Sequence, residues 1–258
     1  MDLTRNELKS LRKLSTKKGR REAGKFPVEG VRCIKELLSS DYACKMLIVC
    51  RNLLSETGHD FLDSLRGVPV YELNTRQFNQ IANEKSSQGL IAVTDAKKFD
   101  TIEFEAGELL VVIQKMSDPS NLGSIIRSAV AFGAGLIIGS ESAELYSPKV
   151  ISASSGYLFK AKIKQVEAIP GELNSLREHS IAVWGADNTG EDIGKIKEMP
   201  SRIALVIGHE AFGLADDVAR KLDKIVRIPI SANVDSLSAP VAGSILLQRI
   251  SERMGILK

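Results

Sequence analysis

Near-continuous apolar runs in the second half of the chain constrain its fold more than any other feature. These runs are ELLVVI (108–113), GLIIG (135–139), IAVWG (181–185), IALVIG (203–208) and IVRIPI (225–230). A strand with water on one face alternates apolar and polar residues, whereas a strand covered on both faces is apolar throughout. Apolar residues at helical spacing occur at 121–133 and 237–253, which predicts helices there. We therefore expect a parallel sheet covered by helices.

The first part of the chain alternates shorter expected elements. The expected strands are 46–50, 68–73 and 89–94, and the expected helices between them are 57–66 and 75–82. This alternation predicts a compact α/β domain over residues 1–95. Residues 96–107 are polar and lack strong periodicity, which is typical of a linker. A second α/β domain is expected over residues 108–258.

The excess positive charge lies near the N-terminus. Residues 1–36 hold eleven Lys and Arg against five Asp and Glu, a balance of +6, whereas the remaining residues hold 24 against 27, a balance of −3. Helices are expected at 4–14 and 27–39, with a basic, glycine-interrupted loop between them. A solvated turn and a phosphate-contacting surface explain these charges equally well. The side chains in question are Lys17, Lys18, Arg20 and Arg21.

Several functional classes lack the sequence features that they require. No apolar segment follows the first charges, and no run approaches the roughly 18–20 residues of a membrane span, so we expect neither a secretory signal nor a membrane helix. Cys33, Cys44 and Cys50 have no metal-ligand or CxxC spacing, which favours reduced thiols in a cytoplasmic protein. The histidines also lack ligand spacing, and there is no P-loop and no GxGxxG fingerprint. We expect no metal.

Three polar loops rich in Gly or Ser follow expected strands, at the edge where α/β sheets bind ligands. They span residues 114–123, 208–214 and 231–240. Taken alone, each has an ordinary structural explanation. Asn121 and Ser236 could cap helices, and Arg127 could be a surface arginine. Gly208 could shape a turn, and Glu210 could complement a helix dipole.

Together these loops resemble the motifs of the SpoU/TrmH family of RNA ribose 2′-O-methyltransferases, in the SPOUT superfamily. Residues 121–129, NLGSIIRSA, match its motif N-x-G-x-x-x-R-x-A. Residues 207–214, IGHEAFGL, match apolar-G-x-E-x-x-G-apolar. Ile228 and Pro229 lead to SLSAPVA at 236–242, which resembles the third motif, I-P-x(6–8)-S-L-N-x-x-x-A. Residues 147–159 and 17–30 also resemble the family.

The resemblance implies a fold, a cofactor and partners. The fold is α/β: a C-terminal parallel-sheet domain with a deep trefoil knot, preceded by a smaller ribosomal-protein-like α/β domain that binds the RNA substrate. The cofactor is S-adenosylmethionine, and the enzyme works as a homodimer. The implied cofactor-binding residues are Gly208, Ile228, Ile230, Leu237 and Ala239. The implied RNA-binding residues are Lys17, Lys18, Arg20, Arg21 and Arg32.

The implied reaction transfers a methyl group to a ribose 2′-hydroxyl, with 23S rRNA as the favoured substrate. This hydroxyl is a poor nucleophile that must be positioned and must lose its proton as the methyl group moves. The family's motif points to Arg127. A guanidinium stays protonated at neutral pH, so we expect it to grip the adjacent phosphate and stabilise the developing alkoxide. Asn121 and Glu210 would orient this arginine and the ribose, and Ser236 and Ser238 would complete the network.

One residue departs from the family's pattern. Ser238 stands where the family usually has Asn, and a serine hydroxyl is shorter than an amide that both donates and accepts. Two alternatives therefore stay open: a tRNA substrate, and a non-catalytic RNA-binding protein on the same scaffold. The full N-terminal domain favours rRNA, because the family's compact tRNA enzymes lack a domain of this kind.

Overall fold

The computed structural model describes residues 3–83, 87–102 and 108–257. The chain divides into two compact units. Unit 1 comprises Met1–Lys98 and Glu144–Lys160, and unit 2 comprises Phe99–Ala143 and Ala161–Lys258. The linker predicted at 96–107 lies across the first boundary between the units, and its residues 103–107 lie outside the described part of the chain.

The described residues of unit 1 form a four-stranded sheet with helices. Numbered along the whole chain, its strands are β1 (Lys25–Glu29), β2 (Cys44–Val49), β3 (Val70–Glu72) and β4 (Leu90–Asp95). Its helices are α1 (Arg5–Lys13), α2 (Lys17–Ala23), α3 (Val31–Leu38), α4 (Glu56–Ser64), α5 (Thr75–Phe78) and α7 (Pro148–Ala153). The strand order is β1-β4-β2-β3. Strand β4 is antiparallel to both its neighbours, and β2 and β3 are parallel.

Two predictions for the N-terminal stretch are wrong. The expected basic loop contains helix α2, because Thr16 caps its first turn and Gly24 ends it in the left-handed region at φ 60°. Pro27 and its neighbours belong to strand β1, not to a helix starting at 27. Strand β1 is an edge strand that pairs with β4, which is where a sheet tolerates proline. Helix α3 begins only at Val31.

The described part of unit 2 is a six-stranded sheet in which every pairing is parallel. Its strands are β5 (Leu109–Ile113), β6 (Ala134–Gly139), β7 (Ile163–Val166), β8 (Ala182–Asp192), β9 (Ile203–Ile207) and β10 (Lys224–Arg227), in the order β10-β8-β9-β5-β6-β7. Its helices are α6 (Pro119–Ala131), α8 (Ile169–Glu178), α9 (Asp216–Ala219) and α10 (Ala239–Arg253). The expected parallel sheet and the smaller N-terminal α/β domain are confirmed, and the knot stays a prediction.

Helices lie on both faces of the second sheet. On one face, Val206 belongs to the core cluster that contains Leu173 of helix α8. Its neighbour Ile207 points to the opposite face, which is covered by helix α10. Gly243 of that helix lies so close that a Cβ added to it, as in alanine, would come within 2.4 Å of the Ile207 side chain. This double coverage explains why the central strands are apolar throughout.

Strand β8 contains an excursion that the sequence did not predict. Ile225 of β10 pairs with Gly185, but the next residue, Val226, pairs with Glu191. Residues 186–190 therefore loop out of the pairing. At the end of the excursion, an added Cβ on Gly190 would meet the backbone of residues 225–226 within 2.7 Å. A residue without a side chain lets the strand return at this point.

Membrane spans were sought along the described residues, and no helix there has the length and apolar character to cross a bilayer.

Candidate functional site

A cavity of about 400 Å³ opens in unit 2 where strands β8, β9 and β10 end and helix α10 begins. Its wall combines the loop at 207–213, the end of β10 and the first turns of α10. The five residues predicted to bind the cofactor all lie on this wall: Gly208, Ile228, Ile230, Leu237 and Ala239. The structure thus brings together residues from two of the three sequence motifs, and contact of these residues with the cofactor stays a prediction.

The loop after β9 is held in a tight turn against its own strand. His209 and Gly213 exchange backbone hydrogen bonds of 2.7 and 2.9 Å. Gly208 lies directly against the returning chain, because an added Cβ would come within 2.3 Å of the carbonyl group of Gly213 and 2.5 Å of the nitrogen of Leu214. Gly213 itself has φ +67°, in the region that favours glycine. Both motif glycines are therefore required by the backbone.

Other residues on the wall were missed by the sequence analysis. Ala186, Asp187 and Asn188, from the excursion in β8, line the cavity together with Arg227. The carboxylate of Asp187 accepts hydrogen bonds from the backbone and the hydroxyl of Thr189. The polar, Gly-ending stretch ADNTG directly follows the apolar run at 181–185. A polar stretch that follows an apolar run is the same feature that indicated the loops at 114–123, 208–214 and 231–240.

Asn121 of the first motif contacts Glu210 of the second motif. Asp118, not Asn121, caps helix α6, since its carboxylate accepts from the backbone nitrogens of Ser120 and Asn121. The Asn121 side chain is therefore available, and its Nδ2 donates to the carboxylate of Glu210. The other oxygen of Glu210 accepts from the backbone nitrogen of Ser117 at 3.2 Å. One carboxylate thus ties the loop after β5 to the loop after β9.

The remaining predicted catalytic residues lie on helix α6 or just before helix α10, two helices that pack together. Ser236 is exposed on the cavity wall. Ser238 is the N-cap residue of helix α10, but its side chain makes no capping hydrogen bond. Arg127 is exposed on α6. Helices α6 and α10 are joined where the hydroxyl of Ser244 donates to that of Ser128 at 2.7 Å. Of the described residues predicted as catalytic, Glu210 and Ser236 line the cavity; Asn121, Arg127 and Ser238 do not.

The predicted RNA-binding residues of unit 1 separate into two groups. Lys17, Lys18, Arg21 and Arg32 are exposed. Arg20 is buried, donates to the backbone oxygens of Leu14 and Ser15 at 2.8 and 3.0 Å, and pairs with both carboxylate oxygens of Glu144. The expected RNA-binding role of Arg20 is therefore corrected: a guanidinium whose donors are engaged inside the fold cannot reach a phosphate.

A search of residues 3–83, 87–102 and 108–257 finds no group of three or more His, Cys, Asp or Glu side chains that could hold a metal ion.

Two family models match the chain. The model of the SpoU rRNA Methylase family matches residues 108–248. The model of the MRM3-like substrate binding domain matches residues 5–92.

Curated relatives match over nearly the whole chain. The 23S rRNA (guanosine(2553)-2′-O)-methyltransferase RlmP of Bacillus subtilis is 25% identical over 246 residues, which covers 95% of each protein. The 23S rRNA (uridine(2479)-2′-O)-methyltransferase of Streptomyces viridochromogenes is 29% identical over 255 residues, which covers 93% of this chain and 88% of the relative.

Solved structures match equally broadly. The SpoU methyltransferase AviRb of Streptomyces viridochromogenes in complex with AdoMet superposes with a TM-score of 0.83 at 25% identity, over 97% of this chain and 99% of that one. The AdoMet-bound rRNA methyltransferase of Sinorhizobium meliloti gives 0.83 at 26% identity, over 100% and 98%.

Proposed function

Because this chain belongs to the SpoU rRNA methylase family, we propose that it transfers a methyl group from S-adenosylmethionine to a ribose 2′-hydroxyl in 23S rRNA. The chain is an RNA methyltransferase that uses S-adenosylmethionine. The observation that carries the finer proposal is the cavity in unit 2, whose wall holds all five expected cofactor residues, with the Glu210–Asn121 contact beside it.

The cavity suits the cofactor in size and chemistry. Its volume of about 400 Å³ lies within the roughly 300–1,000 Å³ of small-molecule sites. Ile228 and Leu237 provide an apolar part of the wall, and Gly208 and Gly213, which have no side chains, contribute backbone to it. Backbone groups can hydrogen-bond the edges of an adenine ring, and the carboxylates of Asp187 and Glu210 lie on the wall, where a cation is favoured. When bound, S-adenosylmethionine supplies an electrophilic methyl group.

The chain's own residues must then hold the ribose and stabilise its oxygen. We assign the phosphate beside the target ribose to Arg127, because its guanidinium is exposed on α6 and forms a fork that matches phosphate oxygens. Glu210 orients Asn121 through their hydrogen bond, and Ser236 faces the same cavity. The 2′-hydroxyl would lose its proton to solvent water as its oxygen takes the methyl group, while the sulfur–methyl bond breaks and S-adenosylhomocysteine leaves. The positive guanidinium would stabilise the negative charge that develops on the ribose oxygen.

The proposal assigns a task to each part of the chain. We assign RNA binding to residues 1–95, the connection to 96–107 and the transfer to 108–258, of which the segment Glu144–Lys160 packs within unit 1. Two relatives that match over most of their length are named as 23S rRNA 2′-O-methyltransferases, which supports an rRNA substrate. The match to a substrate-binding domain at 5–92 supports an RNA-binding role for the first domain. A homodimer, a knotted cofactor site and a cytoplasmic location complete the proposal.

Labelling with methyl-tritiated S-adenosylmethionine tests this function. We expect the full-length protein to label 23S rRNA, as naked RNA or in ribosomal particles, and to leave a tRNA pool unlabelled. Arg127→Ala should lower kcat by about 10²-fold or more while calorimetry shows unchanged cofactor affinity. Label in tRNA alone would overturn the rRNA assignment, and full activity of Arg127→Ala would overturn the role of that arginine.

A further inference from the structure

The rim of the cavity carries an exposed apolar patch. In the described part of the chain, the exposed large hydrophobic side chains are Phe212, Ile230, Val234, Val241 and Leu257. Phe212 and Ile230 line the cavity, Val234 lies in the loop between Ile230 and Ser236, and Val241 lies in the first turn of α10, beside Ala242 of the cavity wall. Exposed apolar groups that gather at a concave site mark a binding surface rather than scattered surface residues.

Phe212 is the most exposed member of this rim patch. It is 85% exposed, and it is the one Phe, Tyr or Trp residue classed as exposed among residues 3–83, 87–102 and 108–257. Exposed and ordered aromatic rings are the surface on which proteins stack unpaired bases. A base is the flat, apolar-faced part of the substrate that this enzyme class handles.

The backbone of the turn that carries Phe212 is held by hydrogen bonds. The paired hydrogen bonds between His209 and Gly213 close the turn, and the His209 ring accepts from the backbone nitrogen of Ala211 at 3.0 Å. The imidazole lies beside the phenyl ring, with 5.0 Å between ring centroids and 36° between ring planes. Because the loop is already ordered, stacking on this ring costs little additional conformational entropy.

The same loop carries Glu210, two residues before Phe212. Glu210 holds Asn121, and in the proposed function these two side chains serve the target ribose. The base attached to that ribose must then extend from the same point, and the rim beside Glu210 presents Phe212. A second copy of the chain is the competing occupant of the apolar patch, and the exposed aromatic ring next to Glu210 favours a base instead.

We propose that Phe212 is a stacking platform for the base of the nucleotide that is methylated. This inference rests on the proposed function and adds a substrate-positioning residue to it. Stacking is tolerant of base identity because every base has a π-face. Phe212 would therefore hold the base of the target nucleotide without selecting its identity.

The test compares Phe212→Ala with Phe212→Trp in the full-length protein, and uses Leu257→Ala as a matched control, since Leu257 is exposed but outside the rim patch. With 23S rRNA, Phe212→Ala should raise KM for RNA by about tenfold or more, and Phe212→Trp should restore it. Calorimetry should give unchanged S-adenosylmethionine affinity, and sedimentation should give an unchanged oligomeric state. The Trp variant also reports base stacking directly, because stacking quenches the fluorescence of its new indole ring. The wild-type protein, whose one tryptophan is the buried Trp184, gives the background signal.

The outcomes separate this proposal from the function on which it rests. If wild type labels no RNA, the proposed function fails and the platform fails with it. If wild type labels RNA and Phe212→Ala keeps its KM, the platform alone is overturned. It is also overturned if the Ala variant loses cofactor affinity, which would make Phe212 a cover for the cofactor, or if it dissociates into smaller species, which would make the patch an interface between copies.

Discussion

Replacement of Gly208 by alanine should damage the cavity although the change adds a single methyl group. The new Cβ would come within 2.3 Å of the carbonyl carbon and oxygen of Gly213 and within 2.5 Å of the nitrogen of Leu214, whereas ordinary contacts begin at about 3.5 Å. These atoms belong to backbone that cannot swing aside as a side chain can. The loop must therefore move by about 1 Å, which strains the two hydrogen bonds between His209 and Gly213.

The magnitude follows from these contacts. Two weakened hydrogen bonds at about 1 kcal/mol each, added to an overpacking cost of about 1–3 kcal/mol, give a destabilisation of the loop of about 3–5 kcal/mol. If the cofactor binds the undistorted loop, Gly208→Ala should weaken S-adenosylmethionine binding by at least about tenfold, since 1.4 kcal/mol is a factor of ten. Isothermal calorimetry measures this change, and urea denaturation measures the stability.

Gly171→Ala is the matched control for this experiment. Gly171 is exposed in helix α8, and an added Cβ there meets nothing within 4 Å. Alanine is the better helix former by up to about 1 kcal/mol, so this variant should be as stable as wild type or slightly more so and should bind the cofactor normally. Wild-type affinity and stability in Gly208→Ala would refute the claim that the loop backbone needs a glycine.

Three further predictions concern residues outside that contact. Arg20→Ala should destabilise the protein by about 3–5 kcal/mol, because it leaves a largely buried carboxylate without its partner, while the exposed neighbour Arg21→Ala should change the free energy of unfolding by less than about 0.5 kcal/mol; urea denaturation distinguishes them, and equal effects would contradict the structural role of Arg20. Charge reversal of Lys17, Lys18 and Arg21 together should weaken RNA binding and flatten the slope of log K against log salt by up to about 3; an unchanged slope in filter binding would remove these residues from the RNA surface. Glu210→Gln should lower kcat by about 10²-fold through misplacement of the groups that it orients, with KM for RNA changed far less in steady-state assays, and a variant with unchanged kcat would leave that carboxylate without a catalytic role.

The parallel sheet could be predicted because strands that are buried on both faces require unbroken apolar runs in the sequence. Strands β5, β6 and β9 are buried at every residue, so an unbroken apolar run is the pattern they require. The short helices and strands near the N-terminus have weaker sequence patterns. Helix α2 has seven residues, of which four are Lys or Arg. It is held by the Thr16 cap and by the Arg20 side chain, which bonds to Leu14 nearby and to Glu144 far along the chain.

The sequence motifs predicted which residues belong to the candidate site, but not how the side chains of the site contact one another. The expected cofactor residues converge on one cavity. The cap of helix α6 is Asp118, and Asp followed by Pro119 is the sequence pattern of an N-cap, although only Asn121 was considered for that role above. The excursion at 186–190 was missed because it depends on the register between β8 and β10, which is set by pairing across the sheet. The burial of Arg20 was missed for the same reason, since Glu144 is 124 residues away in sequence.

The central claim is that the methyl group reaches a ribose oxygen of 23S rRNA. Its most direct test uses S-adenosylmethionine with a trideuterated methyl group, followed by digestion of the RNA to nucleosides and fragmentation in a mass spectrometer. We expect one nucleoside whose heavy methyl group leaves with the sugar fragment, at one position of 23S rRNA. A heavy methyl group retained on the base fragment, or found only in tRNA, would contradict it.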